Sequence, residues 1–249
     1  MIELLIFIIG LLIGSFLNVV IIRLPNAQSI IAPPSHCPEC GTRLQVWDLV
    51  PVFSWLLNRG QCRYCQGAIS WQYPVVEVMT ALIFFALYLK YGLSAQVLLY
   101  FILVALLLVG SVIDLRELII PNRITYPGII IGLVGALFFP PLTLVESLFG
   151  LIIPAGFLLL LALLVKKGMG LGDVKFLGMV GTFIGLKATF LALFLGSFLG
   201  SIIVLALMAG GRLERKSLIP FGPLISLGTI LVLLWGEWII NLLNLSFLF

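Results

Sequence analysis

The sequence predicts an all-α polytopic membrane protein of about eight transmembrane helices, interrupted by one small, cytosolic, zinc-ribbon-like insertion. Three observations carry that expectation. Of 249 residues, 62% are hydrophobic and 10% charged, with a mean hydropathy of +1.26, which is more apolar surface than a soluble domain of this size can bury. The apolar residues fall into eight runs: 4–22, 74–90, 95–113, 124–139, 143–165, 174–186, 187–209 and 221–243. The only sizeable polar segment, 24–73, holds all four cysteines. A pI near 9.0 would suggest nucleic acid in a soluble protein; here basic residues are topology signals, and membrane lipid rather than nucleic acid is the expected surrounding.

The first run, Ile2 to Ile22, is long enough to span a bilayer. Glu3 stands where a signal peptide would carry basic residues and no small-residue cleavage site follows, so the span is expected to be retained. Within it, Gly14 to Asn18 is unusually polar and reads as helix packing through small residues plus an amide hydrogen bond. Arg23, Leu24 and Pro25 end the run.

Segment 24–73 contains Cys37-Pro38-Glu39-Cys40 and Cys62-Arg63-Tyr64-Cys65, two CxxC pairs separated by 21 residues. Each pair offers two thiolates from one tight turn, and together they complete a tetrahedral sulfur site suited to Zn2+. Disulfides are the competing arrangement. Arg23, Arg43, Arg59 and Arg63 mark the loop as cytosolic, where thiols stay reduced, so structural zinc is expected. Four cysteines close the site, and the metal is then a staple rather than a catalyst. His36 adjoins Cys37 and reads as a bystander. The chain is accordingly divided into a first transmembrane helix (1–23), a cytosolic zinc-binding domain (24–73) and a seven-helix membrane catalytic domain (74–249). No internal repeat is expected.

With the N-terminus outside, the inner loops 23–73, 114–123, 166–175 and 210–219 hold 4, 2, 3 and 3 Lys/Arg, 12 of the 14 in the chain; only Lys90 and Lys187 fall elsewhere. That asymmetry sets the orientation. Val174 to Leu186 is short enough to be re-entrant, but turning back would put Arg212, Arg215 and Lys216 outside. It is therefore read as a short crossing, with Gly178, Gly181 and Gly185 permitting close packing.

The chemistry is expected in two acids at inner span ends. Asp173 follows Gly170-x-Gly172 and opens what reads as a helix, where the dipole favours its ionised form. The two glycines leave backbone bare for an extended chain to approach. The plain alternative is a polar turn with a solvated acid. Asp114 closes the third run at a helix C-terminus, where the dipole disfavours a negative charge, so it has no comparable structural reason. Glu77 has one: Pro74 suits a first helical turn, and an acid in that turn suits the dipole. Two facing carboxylates cannot both ionise easily and would share a proton, one activating water while the other protonates a scissile carbonyl.

The chain resembles the bifunctional type IV prepilin leader peptidases, GxGD-type membrane aspartyl proteases. The resemblance rests on GSFLNVVIIRLP (14–25), SHCPEC (35–40), VPVFSWLLNRGQCRYC (50–65), YPVVE (73–77), IDLRELIIPN (113–122), GMGLGDVK (168–175) and IPFGP (219–223), which run in family order. It implies catalytic Asp114 and Asp173, a supporting active-site loop of Gly170, Gly172 and Lys175, and zinc on Cys37, Cys40, Cys62 and Cys65. It further implies a multi-pass protein of the bacterial inner membrane whose active site faces the cytosol and cleaves prepilin and pseudopilin leaders after a glycine. N-methylation of the new terminal residue, with S-adenosylmethionine as donor, is implied by the resemblance alone, and no donor-binding residue is assigned. A peptidase-only member is the nearest alternative. A proton-coupled transporter would want its acids near the bilayer midplane rather than at the inner edge, and a zinc-bearing scaffold would leave the acid pair unexplained.

Overall fold

The computed structural model describes residues 1–164, 170–211 and 218–242, and they contain helices but no strand. The helices are α1 (Ile2–Arg23), α2 (Phe53–Leu57), α3 (Gln72–Tyr91), α4 (Ala95–Glu117), α5 (Asn122–Phe138), α6 (Leu144–Leu164), α7 (Leu171–Ala209) and α8 (Gly222–Leu242), with a 3-10 turn at Val46–Leu49. Six of them are long and apolar enough to cross a membrane, and Asn122–Phe138 is a shorter apolar helix. The basic residues expected in two inner loops, Lys166 and Lys167, and Arg212, Arg215 and Lys216, lie outside the described residues, as do Gly168 and Met169.

The chain forms two compact units, Met1–Gly92 and Leu93–Phe249. Packing thus groups α3 with α1 and the cysteine segment, whereas division by composition had grouped it with the later helices.

In the first unit α1 and α3 run antiparallel at very short range. A Cβ on Gly10 would stand 2.5 Å from Ala81 Cα, and one on Gly14 would stand 2.6 Å from Glu77 Cα. Small residues bring the backbones together, as membrane helix pairs require. The expected amide hydrogen bond is present: buried Asn18 donates from Nδ2 to the Tyr73 carbonyl (3.1 Å) and to Gly14 O (3.3 Å). Gln72 Nε2 returns a bond to Asn18 Oδ1 at 3.3 Å. Glu77 departs from expectation. Helix α3 starts at Gln72 and has no acid in its first turn. Glu77 lies deeper and buried, its Oε2 accepting the Val52 N–H at 2.7 Å. A partner in the polar segment, not the helix dipole, accounts for this acid.

In the second unit α7 is a hairpin rather than one rod. Gly185 (φ 76°, ψ 176°) breaks it in a region of backbone space essentially reserved for glycine. Before the break, Gly178 packs on Leu151 and Ala155, Gly181 on Gly150, and Ser147 Oγ donates to Thr182 O at 2.8 Å, so this leg runs antiparallel to α6. After it, Ala192 meets Gly228 and Gly196 meets Leu224, so the second leg runs antiparallel to α8. Residues 171–184 cover about 21 Å, short of a ~30 Å hydrocarbon core. Counting both legs, eight apolar helices are present among the described residues, in the order read from hydropathy.

Candidate active site

Asp114 lies in the last turn of α4 and is 4% exposed. The helix ends just beyond it because Leu118 adopts a left-handed conformation (φ 55°, ψ 33°) while its N–H closes on Asp114 O at 2.9 Å. Asp114 Oδ2 accepts the backbone N–H of Gly222 at 2.8 Å. Gly222 is the first residue of α8, so the positive end of that helix faces the carboxylate that its own helix disfavours. Ser111, nearly one turn earlier on α4, donates to Ser226 Oγ at 2.6 Å and fastens the two helices beside the acid.

Asp173 sits in the first turn of α7, as the sequence suggested, and its Oδ2 accepts the Gly170 N–H at 3.2 Å. Gly172 faces the loop between α4 and α5: a Cβ there would stand 3.3 Å from Ile120 Cβ. One cavity of about 520 Å³ is lined by Asp114, Gly170, Gly172 and Asp173 together. Its rim is apolar and exposed, with Leu118, Ile119, Leu171, Leu218 and Ile219 at the opening. Two carboxylates on one cavity, under a rim that accepts apolar chain, can bind an extended apolar peptide and attack it with water. Lys175 is placed elsewhere. Its Nζ donates to Asn122 Oδ1 at 2.9 Å and lies 5.3 Å from the Tyr126 ring centroid, so it braces α5 instead of lining the cavity.

Gly222 is the residue that sequence reasoning passed over. It stood in IPFGP with no role assigned; the available signal was a Gly-Pro pair opening an apolar run, a helix start whose N–H groups need partners. Gly222→Pro removes the donor while keeping a residue suited to a helix start. We expect it to lower any Asp114-dependent activity by roughly 10- to 100-fold, the scale of one hydrogen bond to a charged group. Alanine and proline alike bring a Cβ to within 2.9 Å of Asp114 Oδ2, but Gly222→Ala keeps the donor, so the difference between the two variants isolates the hydrogen bond. Equal activity of Gly222→Pro and wild type, measured on matched amounts of folded protein, removes the bond from the mechanism.

The cysteines form a second centre, in the first unit. Cys37, Cys40, Cys62 and Cys65 bring their sulfurs within 4.8 Å of one another. Each pair rides on the same turn. Cys37 N–H bonds Thr42 O and Gly41 N–H bonds Cys37 O; the second turn repeats this with Cys62, Gly67 and Gln66, 25 residues on. Gly41 and Gln66 share the left-handed conformation, at φ 69° and 59°. Isolated antiparallel bridges, His36 to Arg43 and Gln61 to Ala68, close the two hairpins. The module therefore does contain an internal repeat, contrary to expectation, because backbone geometry repeats where side chains outside the CxxC frame do not.

The Cys40 thiol is drawn down to about 6, first by the Thr42 hydroxyl and then by its backbone. The Gly67 N–H acts to lower Cys65, yet desolvation and its three sulfur neighbours push it up to about 12. Four sulfurs this close hold few negative charges by themselves, and a divalent cation is the counter-charge that suits them. His36 turns its Nδ1 to Pro34 O at 3.1 Å and is not part of the cluster.

Comparison with known proteins follows the same two-part division. Residues 8–91 match the bacterial peptidase A24 N-terminal domain, and residues 101–205 match the type IV leader peptidase family. A prepilin leader peptidase/N-methyltransferase of Bacillus subtilis (strain 168) is 34% identical over 235 residues, covering 94% of this chain and 95% of that protein. Proteins of the same description from Pseudomonas putida (34% over 259 residues; 92% and 89% covered) and Aeromonas hydrophila (33% over 272 residues; 94% and 90% covered) are similarly related. No solved structure matches the chain.

Proposed function

Because the chain belongs to the type IV leader peptidase family, we propose that Asp114 and Asp173 are its catalytic pair, acting on prepilin and pseudopilin precursors at the cytosolic face of the bacterial inner membrane. The protein is a prepilin leader peptidase and N-methyltransferase. The observation that carries the site assignment is that both carboxylates line one cavity at the same end of the second unit. A prepilin bears a short basic leader before an apolar helix, which puts its scissile bond at the membrane interface. The exposed apolar rim suits the helix side of that bond, and bare backbone at Gly170 and Gly172 suits close approach by the glycine preceding it.

In the cleavage step the ionised carboxylate takes a proton from water as its oxygen adds to the scissile carbonyl, and the protonated carboxyl gives its proton to the carbonyl oxygen. The resulting diol collapses: the C–N bond breaks, the acid just formed protonates the nitrogen, and one diol hydroxyl gives its proton to the other carboxylate as it becomes the new carbonyl, so the dyad again holds one shared proton. Gly222 N–H and Gly170 N–H hold one oxygen of each carboxylate in place, leaving the other for this work.

The methyl donor, S-adenosylmethionine, would supply an electrophilic methyl group: the new terminal amine would form the N–C bond as the methyl–sulfur bond breaks, the neutral thioether leaving with that pair and the amine shedding a proton. We place its site in or beside residues 24–73, because a charged, water-soluble donor is costly to bring into hydrocarbon. The four thiols fit Zn2+ in number, type and spacing. Held there, zinc fastens the two hairpins and takes no part in either reaction. The function is tested by incubating the purified chain with a membrane-embedded prepilin and S-adenosylmethionine, then weighing the product. A product shortened by its leader and heavier by one methyl is expected; an intact precursor overturns the proposal.

The proposed orientation makes a separate expectation. Cysteine tags placed in 166–173 and in 210–219 should both be shielded from an impermeant reagent applied outside. The reversal of α7 at Gly185 supports this, since it returns the chain to the end from which α7 began. Outside labelling of 210–219 alone overturns it.

A further inference from the structure

We propose that residues 46–57 are not held clear of the bilayer with the rest of the cysteine module but dip into it, as a short interfacial element that binds phospholipid. Depth along α3 carries this. Helix α3 is the second span of the first unit and starts at Gln72, with Trp71 at its mouth. Glu77 is five residues further along, about 7.5 Å from the start of the helix and within the apolar run that begins at residue 74. Its carboxylate accepts the Val52 N–H at 2.7 Å, so the chain just before α2 lies at that depth too. Val52 is held there with φ at 63°, a conformation unusual for a β-branched residue. A second tie fixes the other side of α2: Trp55 packs on Trp71 with ring centroids 4.0 Å apart and donates from Nε1 to Ile69 O at 3.1 Å.

Both ties use the inner face of the segment. Its outer face is largely apolar, the half-exposed Asp48 being tied back by the Gln45 N–H at 2.9 Å and the Tyr64 hydroxyl at 2.9 Å. Phe53, Leu56 and Leu57 recur at helical spacing on α2 and are all exposed, Leu57 by 83%. Val46, Trp47 and Val50 extend the same exposed surface. Such a surface in water would be an aggregation hazard. At 5–10 Å below a membrane surface it is what an interfacial element presents to acyl chains. Trp71, exposed at the start of α3, stands at the level where membrane proteins concentrate tryptophan; Trp47 is exposed too, and Arg59 lies two residues beyond α2, within reach of anionic headgroups. The segment cannot drift from this level, because α1 and α3 anchor both ends of the module.

The test uses the full chain in nanodiscs of phosphatidylethanolamine and phosphatidylglycerol containing a phospholipid with a diazirine in its upper acyl chain. After photolysis, adducts are mapped by mass spectrometry. Residues 46–57 should carry label at a yield comparable with the exposed faces of α1 and α3, and several-fold above 36–44 and 62–68. Leu56→Asp with Leu57→Asp should lose that label while the module keeps its zinc, which separates lost lipid contact from unfolding. Absence of label on 46–57 while α1 and α3 are labelled overturns the proposal. So does a cross-link from 46–57 to residues 93–249 in place of lipid.

Discussion

Asp114→Asn and Asp173→Asn should each lower leader cleavage by roughly 10²–10⁴-fold, the scale of a positioned acid or base, while the protein stays folded and membrane-inserted. Asn keeps the size of Asp and can still accept the N–H bonds from Gly222 and Gly170, so only proton exchange is lost. The double variant should be little worse than either single one, because the two groups act as a unit. Methylation of a leader-free peptide should survive in all three. Substantial residual cleavage by either single variant removes that residue from the mechanism. Brief exposure to a chelator should leave cleavage intact, since both groups of the proposed chemistry are carboxylates far along the chain from the thiols.

The helices were legible because hydropathy is a local signal with a length scale set by the bilayer. Runs read at 95–113 and 143–165 emerge as Ala95–Glu117 and Leu144–Leu164. The division read between 186 and 187 falls beside the break at Gly185, since glycine is where an apolar stretch can reverse tightly. The aspartates and thiols were legible for a different reason: charged or metal-seeking side chains are anomalous at a membrane, and their spacing exposes them. What could not be read was who meets whom. Glu77 was assigned to a helix dipole because its partner, the Val52 N–H, is 25 residues away and carries no side-chain signature. The same holds for Gly222, whose bond to Asp114 joins positions 108 apart. The resemblance puts Lys175 in the active loop, yet two residues beyond Asp173, about 200° round the helix, it turns toward Asn122 and Tyr126. Backbone donors and helix phase lie beyond pattern reading, and in this chain they do most of the positioning.

Those positioning contacts shape the expected result of removing the metal site. Cys37→Ser with Cys40→Ser takes away half the sulfur cluster, and zinc should leave with it. Metal binding in such small modules contributes about 10–16 kcal/mol of apparent free energy, which is folding free energy when few other contacts exist. The hairpins at 36–43 and 61–68 have few: two isolated bridges, a handful of turn bonds and the Tyr64–Asp48 bond, with only Cys37 and Cys62 of the cysteines buried, whereas the ties of Val52 to Glu77 and of Trp55 to Ile69 and Trp71 hold 46–57 and not the hairpins. The hairpins should therefore unfold, while α1 and α3 stay paired through Gly10, Gly14 and Asn18, which do not depend on the metal. In the proposed mechanism cleavage uses Asp114, Asp173 and a docked substrate, all served by the second unit, so it should weaken without vanishing. Methylation requires the donor site placed in or beside 24–73 and should be lost first and most completely. Both products measured on one prepilin, with zinc determined on the same sample, decide the matter. Zinc gone with methylation at the wild-type rate would put the donor site elsewhere in the chain. Zinc gone with cleavage abolished as fully as methylation would mean that the module also holds the substrate in register for the aspartates.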